Sequence, residues 1–240
     1  MTSRLKSRYE SLWARIKGAP NAHEQAVGGE FEAWGKLEFS LLRHIAGLQR
    51  HHSVVDVGCG SGRLALPLSG WLEGPYLGTD ILPDLLLHAE KICQRPEWRF
   101  VATEGLEIPA EDRSADLVCF FSVFTHLTHE DSYRYVLEAA RVLRAGGRLV
   151  CSFLEFRLRS HWAVFRDDLA DRASEKILNQ FMGRDVLEAF AHNAGLRVER
   201  FLDGDQANIP LDEEIVFQSG HRAVGAAPFG QSVCVLEKTS

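Results

Sequence analysis

The stretch Ser53–Ala65, with the sequence SVVDVGCGSGRLA, decides the fold class. Its first half is apolar and β-branched, which is typical of a buried strand. Its second half places Gly58, Gly60 and Gly62 at alternate positions, and a helical pattern begins at Arg63. We expect a ligand to approach the backbone closely at this turn, because glycine leaves room for it. The alternative is a tight strand-to-helix turn without a ligand.

The rest of the chain alternates between strand-like and helix-like segments. Strands are predicted over 53–57, 76–79, 98–102, 116–121, 148–154, 196–202 and 232–236. Helices are predicted over 1–17, 34–45, 63–71, 83–94, 131–143, 162–180 and 184–192. The strands are continuous apolar runs, which indicates an α/β fold: a doubly wound, mostly parallel seven-stranded sheet with helices on both faces. Ligands bind such sheets at the carboxyl ends of the strands.

A single domain is expected over residues 1–240, because no Pro-, Ser- or Gly-rich linker interrupts the apolar pattern. Within it we expect an N-terminal helical lid (1–50), a cofactor-binding core (51–154) and a substrate-side part (155–240). The substrate-side part contains a long segment, 203–231, that is rich in glycine and polar residues. Its length predicts a functional insertion or a mobile loop.

Composition and charge narrow the class of protein. The chain has 240 residues, of which 45% are hydrophobic and 25% charged, as in ordinary globular proteins. Its net charge of -6 argues against a general affinity for nucleic acid or anionic membranes. The first residues lack the apolar core of a signal peptide, and the longest apolar run, 117–124, is too short to span a bilayer. We therefore expect a cytoplasmic protein.

The five cysteines are odd in number and contain no CxxC pair. Four of them lie in or beside apolar strand-like runs, which predicts reduced and mostly buried thiols. No Cys/His cluster has the spacing of metal ligands, so no metal site is expected.

Two aspartates accompany the glycine turn. Asp56 lies inside the strand before it, and Asp80 follows the next strand at about the distance expected for a ribose-binding carboxylate. A carboxylate accepts hydrogen bonds from both ribose hydroxyls and would repel a 2′-phosphate. The glycine spacing is GxGxG, whereas a dinucleotide fingerprint is GxGxxG, so an NAD(P) oxidoreductase is disfavoured. Asp80 could alternatively cap the following helix.

Five segments in order resemble the motifs of the class I S-adenosylmethionine-dependent methyltransferases. They are Val55–Gly62, Tyr76–Ile81, Phe100–Pro109, Ala115–Leu127 and Arg141–Val150. The resemblance covers about residues 28–154 well and implies S-adenosylmethionine as the cofactor. This cofactor carries no phosphate, which agrees with the GxGxG spacing.

The resemblance also implies roles for individual residues. The turn formed by Gly58, Cys59, Gly60, Ser61 and Gly62 would hold the methionine end and the ribose, with Cys59 as a small turn filler. Asp56 would bond backbone or a water near the amino group, and Asp80 would accept from the ribose hydroxyls.

The adenine and the sulfonium are assigned in the same way. Ile81 would pack on the adenine, Glu104 would accept from its amino group, and the N–H of Gly105 could meet the ring. Glu104 could instead be a solvated loop charge. Phe121 and Ser122, at the end of the fourth strand, would border the methionine chain and the sulfonium.

The candidate base is His126, in the segment Ser122–Leu127. A neutral imidazole can accept a proton near neutral pH, which a hydroxyl acceptor requires. The SVFTHL sequence resembles a subgroup of bacterial small-molecule methyltransferases, yet a histidine here can also be structural. His161 and His221 could face the substrate or simply be exposed.

The methyl acceptor is expected to lie under aromatic residues from three segments: Tyr9, Trp13, Phe31 and Trp34; Phe156, Trp162 and Phe165 beside His161; and the 203–231 insertion. These residues could form a lid, or they could be ordinary amphipathic packing on the sheet. The stretch Gly28–Gly35 is a candidate hinge for closure over the cofactor.

The leading interpretation is methyl transfer to a small-molecule acceptor, with an oxygen of a sugar or another metabolite as the expected acceptor. The alternatives are a protein or RNA methyltransferase and a non-catalytic S-adenosylmethionine-binding module. We expect no nucleic-acid or membrane partner, and either a monomer or a homodimer.

Overall fold

The computed structural model describes residues 3–170 and 177–239. A seven-stranded sheet forms its centre, in the order β3-β2-β1-β4-β5-β11-β6. Its strands are β1 (Val54–Val57), β2 (Tyr76–Asp80), β3 (Arg99–Ala102), β4 (Ala115–Phe120), β5 (Leu143–Phe153), β6 (Leu196–Leu202) and β11 (Ser232–Lys238). Neighbours from β3 to β5 pair in parallel, and β11 is antiparallel to both β5 and β6. The predicted doubly wound, mostly parallel sheet is confirmed.

Eight helices surround this sheet in the described part of the chain. They are α1 (Ser3–Ile16), α2 (Ala22–Ala26), α3 (Phe31–His44), α4 (Ala65–Ser69), α5 (Pro83–Cys93), α6 (His129–Val142), α7 (Arg159–Ala170) and α8 (Arg184–Asn193). None of the helices within 3–170 and 177–239 is long and apolar enough to cross a membrane. Thr128 caps α6, because its side chain accepts a hydrogen bond from the N–H of Asp131 at 3.2 Å.

Alternation along the strands produces two hydrophobic cores, one on each face of the sheet. Val55 and Val118 point to the face covered by α6 and α8, whereas Val54 and Leu117 point to the face covered by α3 and α4. Both faces are therefore dry, which explains why the strands read as continuous apolar runs. All five cysteines are free and buried, as predicted.

The segment 203–231 is more ordered than its composition predicts. It forms four two-residue strands, β7 (Ile209–Pro210), β8 (Ile215–Val216), β9 (Arg222–Ala223) and β10 (Ala226–Ala227), paired β7 with β10 and β8 with β9. Ile209, Ile215 and Phe229 are buried in the core that contains α3. These anchors are isolated in the sequence, so no periodic pattern marks them.

The helix predicted over 162–180 is wrong at residues 177–180. Helix α7 spans Arg159–Ala170, and residues 177–180 are not helical, while 171–176 lie outside the described residues. Residues 180–182 instead form hydrogen bonds to two neighbouring segments. The N–H of Gln180 donates to the Thr125 carbonyl at 2.6 Å, and the N–H of Met182 donates to the Leu154 carbonyl at 2.8 Å. Tertiary hydrogen bonds outweigh local helix preference here.

Helix α3 is pressed directly onto the turn that follows β1. A Cβ atom at Gly35 would lie 2.2 Å from the carbonyl oxygen of Arg63. Any side chain at this position would therefore force the helix away from the turn, so Gly35 is required for close packing rather than for a hinge.

We expect Gly35→Ala to destabilise the fold, because the added methyl group overlaps backbone that cannot rotate away. Overpacking of this kind costs roughly 1–3 kcal/mol, or roughly 2–12 °C in melting temperature for a chain of this size. Gly70→Ala is the matched control, since nothing lies within 4 Å of its Cβ position. Equal melting temperatures for the two variants in a thermal unfolding experiment would contradict the close contact.

Candidate active site

A cavity of about 640 Å³ opens at the carboxyl ends of β1, β2 and β4. The strand order reverses at this point, because β1 pairs with β2 on one side and with β4 on the other. Ligands of open α/β sheets bind in the crevice at such a switch point. The volume lies within the usual range for small-molecule and cofactor sites, roughly 300–1,000 Å³.

The three glycines of the turn all have left-handed backbone, with φ of 75° at Gly58, 55° at Gly60 and 92° at Gly62. Protein side chains approach them: a Cβ would lie 2.5 Å from Val123 Cγ2 at Gly58 and 2.5 Å from Val27 Cγ1 at Gly60. We expected a ligand to approach the glycine backbone closely, and side chains of the protein itself make part of this approach. At Gly62 the neighbour is α5, which the glycine allows to pack against the turn.

Backbone hydrogen bonds join this turn to the end of β2. The N–H groups of Gly58 and Cys59 both donate to the Thr79 carbonyl, at 2.7 and 2.9 Å. The carboxylate of Asp80 accepts from the N–H of Gly60 at 3.0 Å and from that of Leu82 at 2.9 Å. Asp80 therefore both fixes the glycine turn and holds Leu82, the residue before α5, and it lines the cavity.

Asp56 lies buried at the base of the cavity. Its carboxyl accepts a hydrogen bond from the Tyr76 hydroxyl at 2.8 Å and a weaker one from the Cys119 thiol at 3.6 Å. Desolvation raises the pKa of Asp56 to about 7, although the bond from Tyr76 opposes this. Burial also raises the pKa of Asp80, against the hydrogen bonds from Leu82 and Gly60.

A buried ion pair between Glu38 and Arg63 forms another part of the wall. Arg63 also donates to the carbonyl of Val27 at 2.6 Å, so it joins α3 to the segment after α2. Burial raises the pKa of Glu38, and the nearby Arg63 guanidinium counteracts this shift. The sequence contained a signal for this pair: Glu38 stands on the apolar stripe of α3, where an unpaired carboxylate would be costly.

His126 lies across the cavity at the end of the short helical turn Phe124–His126. Its Nδ1 is 2.8 Å from the carbonyl oxygen of Leu178, which can only accept, so Nδ1 carries a proton. In the neutral ring, Nε2 is then the atom with the free lone pair. Burial lowers the pKa of His126, against the bond to Leu178.

The other two histidines named from the sequence differ from His126. His161 lines the cavity but is fully engaged: its Nδ1 accepts from the N–H of Glu155 at 3.0 Å, and its Nε2 is 2.8 Å from the Gly230 carbonyl. His221 is exposed and packs its ring against Phe217 at 5.6 Å. Neither offers a free nitrogen inside the cavity as His126 does.

Most of the predicted site residues lie around one cavity. Those that line it are Asp56, Gly58, Cys59, Gly60, Asp80, Ile81, Phe121, Ser122 and His126. Burial raises the pKa of the Cys59 thiol well above its usual value, in keeping with a turn filler. Ser122 has a left-handed φ of 59°, and its N–H donates to the Ser152 hydroxyl at 2.7 Å.

Four predicted residues do not line this cavity. Ser61 is buried and donates to the carbonyl of His23 at 2.8 Å, and Gly62 faces α5. Glu104 and Gly105 lie instead at a second, shallower depression, where the Glu104 side chain is 90% exposed and pairs with Lys6. Their roles at the adenine stay predictions that this geometry does not favour.

Sequence reasoning missed several residues of the wall, among them Thr79, Asn179 and Gln231. They lie outside the five motifs or carry no charge, so nothing in the sequence marked them. No group of three or more His, Cys, Asp or Glu side chains that could hold a metal ion occurs within 3–170 and 177–239.

Comparison with known proteins agrees with this geometry. A family model described as a methyltransferase domain matches residues 55–151. The malonyl-[acyl-carrier protein] O-methyltransferase of Hahella chejuensis is 30% identical over 155 residues, which cover 61% of this chain and 51% of that protein. The 27-O-demethylrifamycin SV methyltransferase of Amycolatopsis mediterranei is 28% identical over 217 residues, covering 84% and 74%.

A solved structure shares the fold. The magnesium protoporphyrin IX methyltransferase of Synechocystis PCC 6803, with bound S-adenosylhomocysteine, superposes with a TM-score of 0.63 at 15% identity, over 98% of this chain and 96% of that chain. The sheet thus has the Rossmann-like fold of that methyltransferase. Residues 55–151 match a methyltransferase-domain family model, and the chain spans about half the length of the Hahella protein.

The residues present fit the cofactor. S-adenosylmethionine carries an ammonium group, a sulfonium and a carboxylate. The cavity wall carries the acids Asp56 and Asp80 and the cation Arg63. The glycine turn provides backbone without side chains at the same edge. The wall is otherwise largely apolar, as cofactor sites commonly are.

The raised pKa of Asp56 predicts a specific dependence of stability on pH. Folding raises this pKa from 3.8 to about 7, so the stability that Asp56 contributes is fully present below about pH 4 and is lost as the pH rises through about 7. Replacing Asp56 by Asn removes this titration. Relative to wild type, Asp56→Asn should therefore gain up to about 4 kcal/mol between acidic and neutral pH.

Melting temperatures of the ligand-free proteins across this pH range provide the measurement. Asp167→Asn, at an exposed position of α7, is the matched control. A constant difference between wild type and Asp56→Asn at every pH would show that Asp56 is already ionised in the acid range.

Proposed function

We propose that this chain transfers a methyl group from S-adenosylmethionine to a hydroxyl oxygen of a small molecule, with His126 as the general base. The observation that carries the proposal is the free Nε2 of His126 in the same cavity as the glycine turn and Asp80. The named relatives above include O-methyltransferases, which supports an oxygen acceptor. The SVFTHL resemblance adds support for a small metabolite, including a sugar, within that class.

The residues at the β1 and β2 ends would hold the cofactor. Asp80 retains unused lone pairs on both carboxylate oxygens after accepting from Gly60 and Leu82, so it can also accept from ribose hydroxyls. Asp56 would face the ammonium group, and this positive charge would favour loss of the Asp56 proton. Ile81, Phe121 and Ser122 complete the wall around the adenosine and methionine portions.

When bound, S-adenosylmethionine supplies a methyl carbon that is activated by the adjoining sulfonium. Nε2 of His126 accepts the proton from the acceptor hydroxyl. The acceptor oxygen forms its bond to the methyl carbon as the carbon–sulfur bond breaks, and the electron pair of that bond stays on sulfur. The protein contributes mainly alignment and exclusion of water.

We expect His126→Ala to lower turnover by roughly 10²–10⁴-fold, the usual contribution of a positioned base. Cofactor affinity should stay close to that of wild type, since His126 is not among the residues that we propose to hold the cofactor. Transfer of labelled methyl groups to a metabolite extract measures the first effect, and the thermal shift caused by S-adenosylhomocysteine measures the second.

The pH profile of kcat provides a further readout at saturating cofactor, where the titration of Asp56 has no influence on occupancy. Burial lowers the pKa of His126 below its usual value near 6.5, so the wild-type rate should hold constant down to at least that pH. Equal turnover by wild type and His126→Ala would remove the base role, and stabilisation by NAD in place of S-adenosylhomocysteine would remove the proposed reaction.

We also propose that the part of the N-terminal segment 1–50 that precedes α3, described from residue 3 to residue 27, acts as a lid. Tyr9 and Leu12 of α1, and residues 25–28 after them, line the cavity. Three consecutive residues beyond α2 have left-handed backbone: Gly28, Gly29 and Glu30, with φ of 89°, 75° and 48°. Nothing lies within 4 Å of the Cβ positions of the two glycines, whereas the Glu30 carboxylate accepts hydrogen bonds from the N–H groups of Gln218 and Ser219.

The lid is attached to the core by a few specific contacts. Trp13 Nε1 donates to Asp84 at 2.7 Å, and the His23 ring stacks on His88 of α5 at 3.8 Å. The candidate hinge of the sequence, 28–35, therefore narrows to 28–30, because Gly35 is packed inside α3.

Bound S-adenosylhomocysteine should protect the hinge from proteolysis, because a ligand held under the lid favours the closed form. Limited digestion with a low-specificity protease, followed by mass spectrometry, would show less cutting at Gly28–Glu30 with the ligand than without it. NAD at equal concentration is the control, and cutting that is unchanged by S-adenosylhomocysteine would count against the lid.

A further inference from the structure

Helix α7 and residues 177–182 together form one side of the cavity, which we call the acceptor wall. Two bonds fasten the wall beside the base: His126 Nδ1 donates to the Leu178 carbonyl at 2.8 Å, and the Gln180 N–H donates to Thr125 at 2.6 Å. The wall therefore lies next to the His126 ring, which also lines the cavity.

The inner surface of the acceptor wall is uncharged in its described part. Within 159–170 and 177–182, the residues that line the cavity are Ser160, His161, Val164, Ile177 and Asn179, and none is Lys, Arg, Asp or Glu. The charged side chains at the opposite end include the acids Asp56 and Asp80. Such an environment disfavours an anionic acceptor, because nothing on this inner surface compensates for its desolvation.

The outer surface of the same wall carries an aromatic cluster of Phe156, Trp162, Phe165 and Phe181. Phe156 stacks on Phe181 at 4.6 Å with 12° between the planes, and Phe165 meets Phe156 edge-on at 5.2 Å. Yet Phe156 is 52% exposed and Trp162 46% exposed. Grouped apolar exposure of this kind marks a binding surface more often than scattered exposed residues do.

The cluster is continuous with the cavity. Trp162 and Phe165 alternate along α7 with the cavity-lining residues His161 and Val164. Leu154, which also lines the cavity, forms a β-bridge with Phe181. The cluster therefore adjoins the cavity lining both on α7 and at Phe181.

We propose that the acceptor is an uncharged hydroxyl compound with an extended apolar body, which packs on the aromatic cluster while its hydroxyl group meets His126. This inference rests on the proposed function and narrows its substrate class. Aromatic side chains bind flat or flexible apolar groups through large, rigid contact area.

Three phenols test this class. They are phenol, para-hexylphenol, and an analogue whose hexyl chain ends in a carboxylate. Equilibrium binding in the presence of S-adenosylhomocysteine, measured by titration calorimetry, should rank para-hexylphenol first. We expect an advantage of at least about tenfold over each of the other two, from the buried hexyl chain and from the absence of charge.

The variant Trp162→Ala should weaken binding of para-hexylphenol about tenfold and leave that of phenol unchanged, because phenol does not reach the cluster. Leu87→Ala is the matched control, since Leu87 is 64% exposed on α5 and does not line the cavity. In turnover assays with labelled cofactor, Trp162→Ala should raise the KM for para-hexylphenol and leave kcat unchanged.

The two proposals fail in different ways. If para-hexylphenol binding depended on Trp162 but no methyl transfer to it or to any extract compound occurred, the proposed reaction would be contradicted and the acceptor surface supported. If methyl transfer occurred to compounds that bind equally well to wild type and to Trp162→Ala, only the acceptor surface would be contradicted. If Trp162→Ala abolished dimer formation and left the affinities for the phenols unchanged, the cluster would be assigned to contact with another copy of the chain. If it abolished binding to vesicles instead, the cluster would be assigned to a lipid surface.

Discussion

The carboxylate of Asp80 determines the shape of the site. It accepts from the backbone of Gly60 and of Leu82, so it holds the first turn and the start of the next helix in one arrangement. Around it, the N–H groups of Gly58 and Cys59 converge on Thr79. The left-handed glycines make this possible, since a side chain at Gly58 or Gly60 would meet Val123 or Val27. Moving Asp80 would release the turn, and with it the contact between α5 and Gly62.

Building this edge places acids in a dry environment, which is unfavourable unless hydrogen bonds or charges compensate. Tyr76 supports Asp56, and Arg63 supports Glu38, but burial still raises the pKa of both carboxyls. The cavity thus has an unmet preference for positive charge at its cofactor end. A cationic ligand satisfies that preference, and its binding and the proton affinity of Asp56 are thermodynamically linked. The free energy that burial of these acids costs the ligand-free protein therefore contributes to the binding of a cationic ligand.

Much of this could be predicted from the sequence. The carboxyl ends of parallel strands meet at one edge, so Gly58, Asp80 and His126 had to lie close together once the strands were placed. The exposed position of Glu104, paired with Lys6, could not be predicted, because the loop after β3 carries no pattern that determines the direction of a side chain. Tertiary hydrogen bonds hold residues 180–182, and isolated anchors such as Ile209 fasten 203–231, so neither leaves a periodic signal.

The two halves of the cavity differ in how they are built, and this difference explains why only one of them could be predicted from the sequence. The cofactor half is built on strand ends, whose hydrogen bonds tolerate little change, and its motifs are consequently readable. The half that we propose for the acceptor is built on α7, on residues 177–182 and on the segment before β11, all outside the motifs. His126 is the link: its Nδ1 is held by Leu178 of the acceptor half, while its own position follows from β4 of the cofactor half. A change in residues 177–182 can therefore alter both the proposed acceptor pocket and the orientation of the His126 ring.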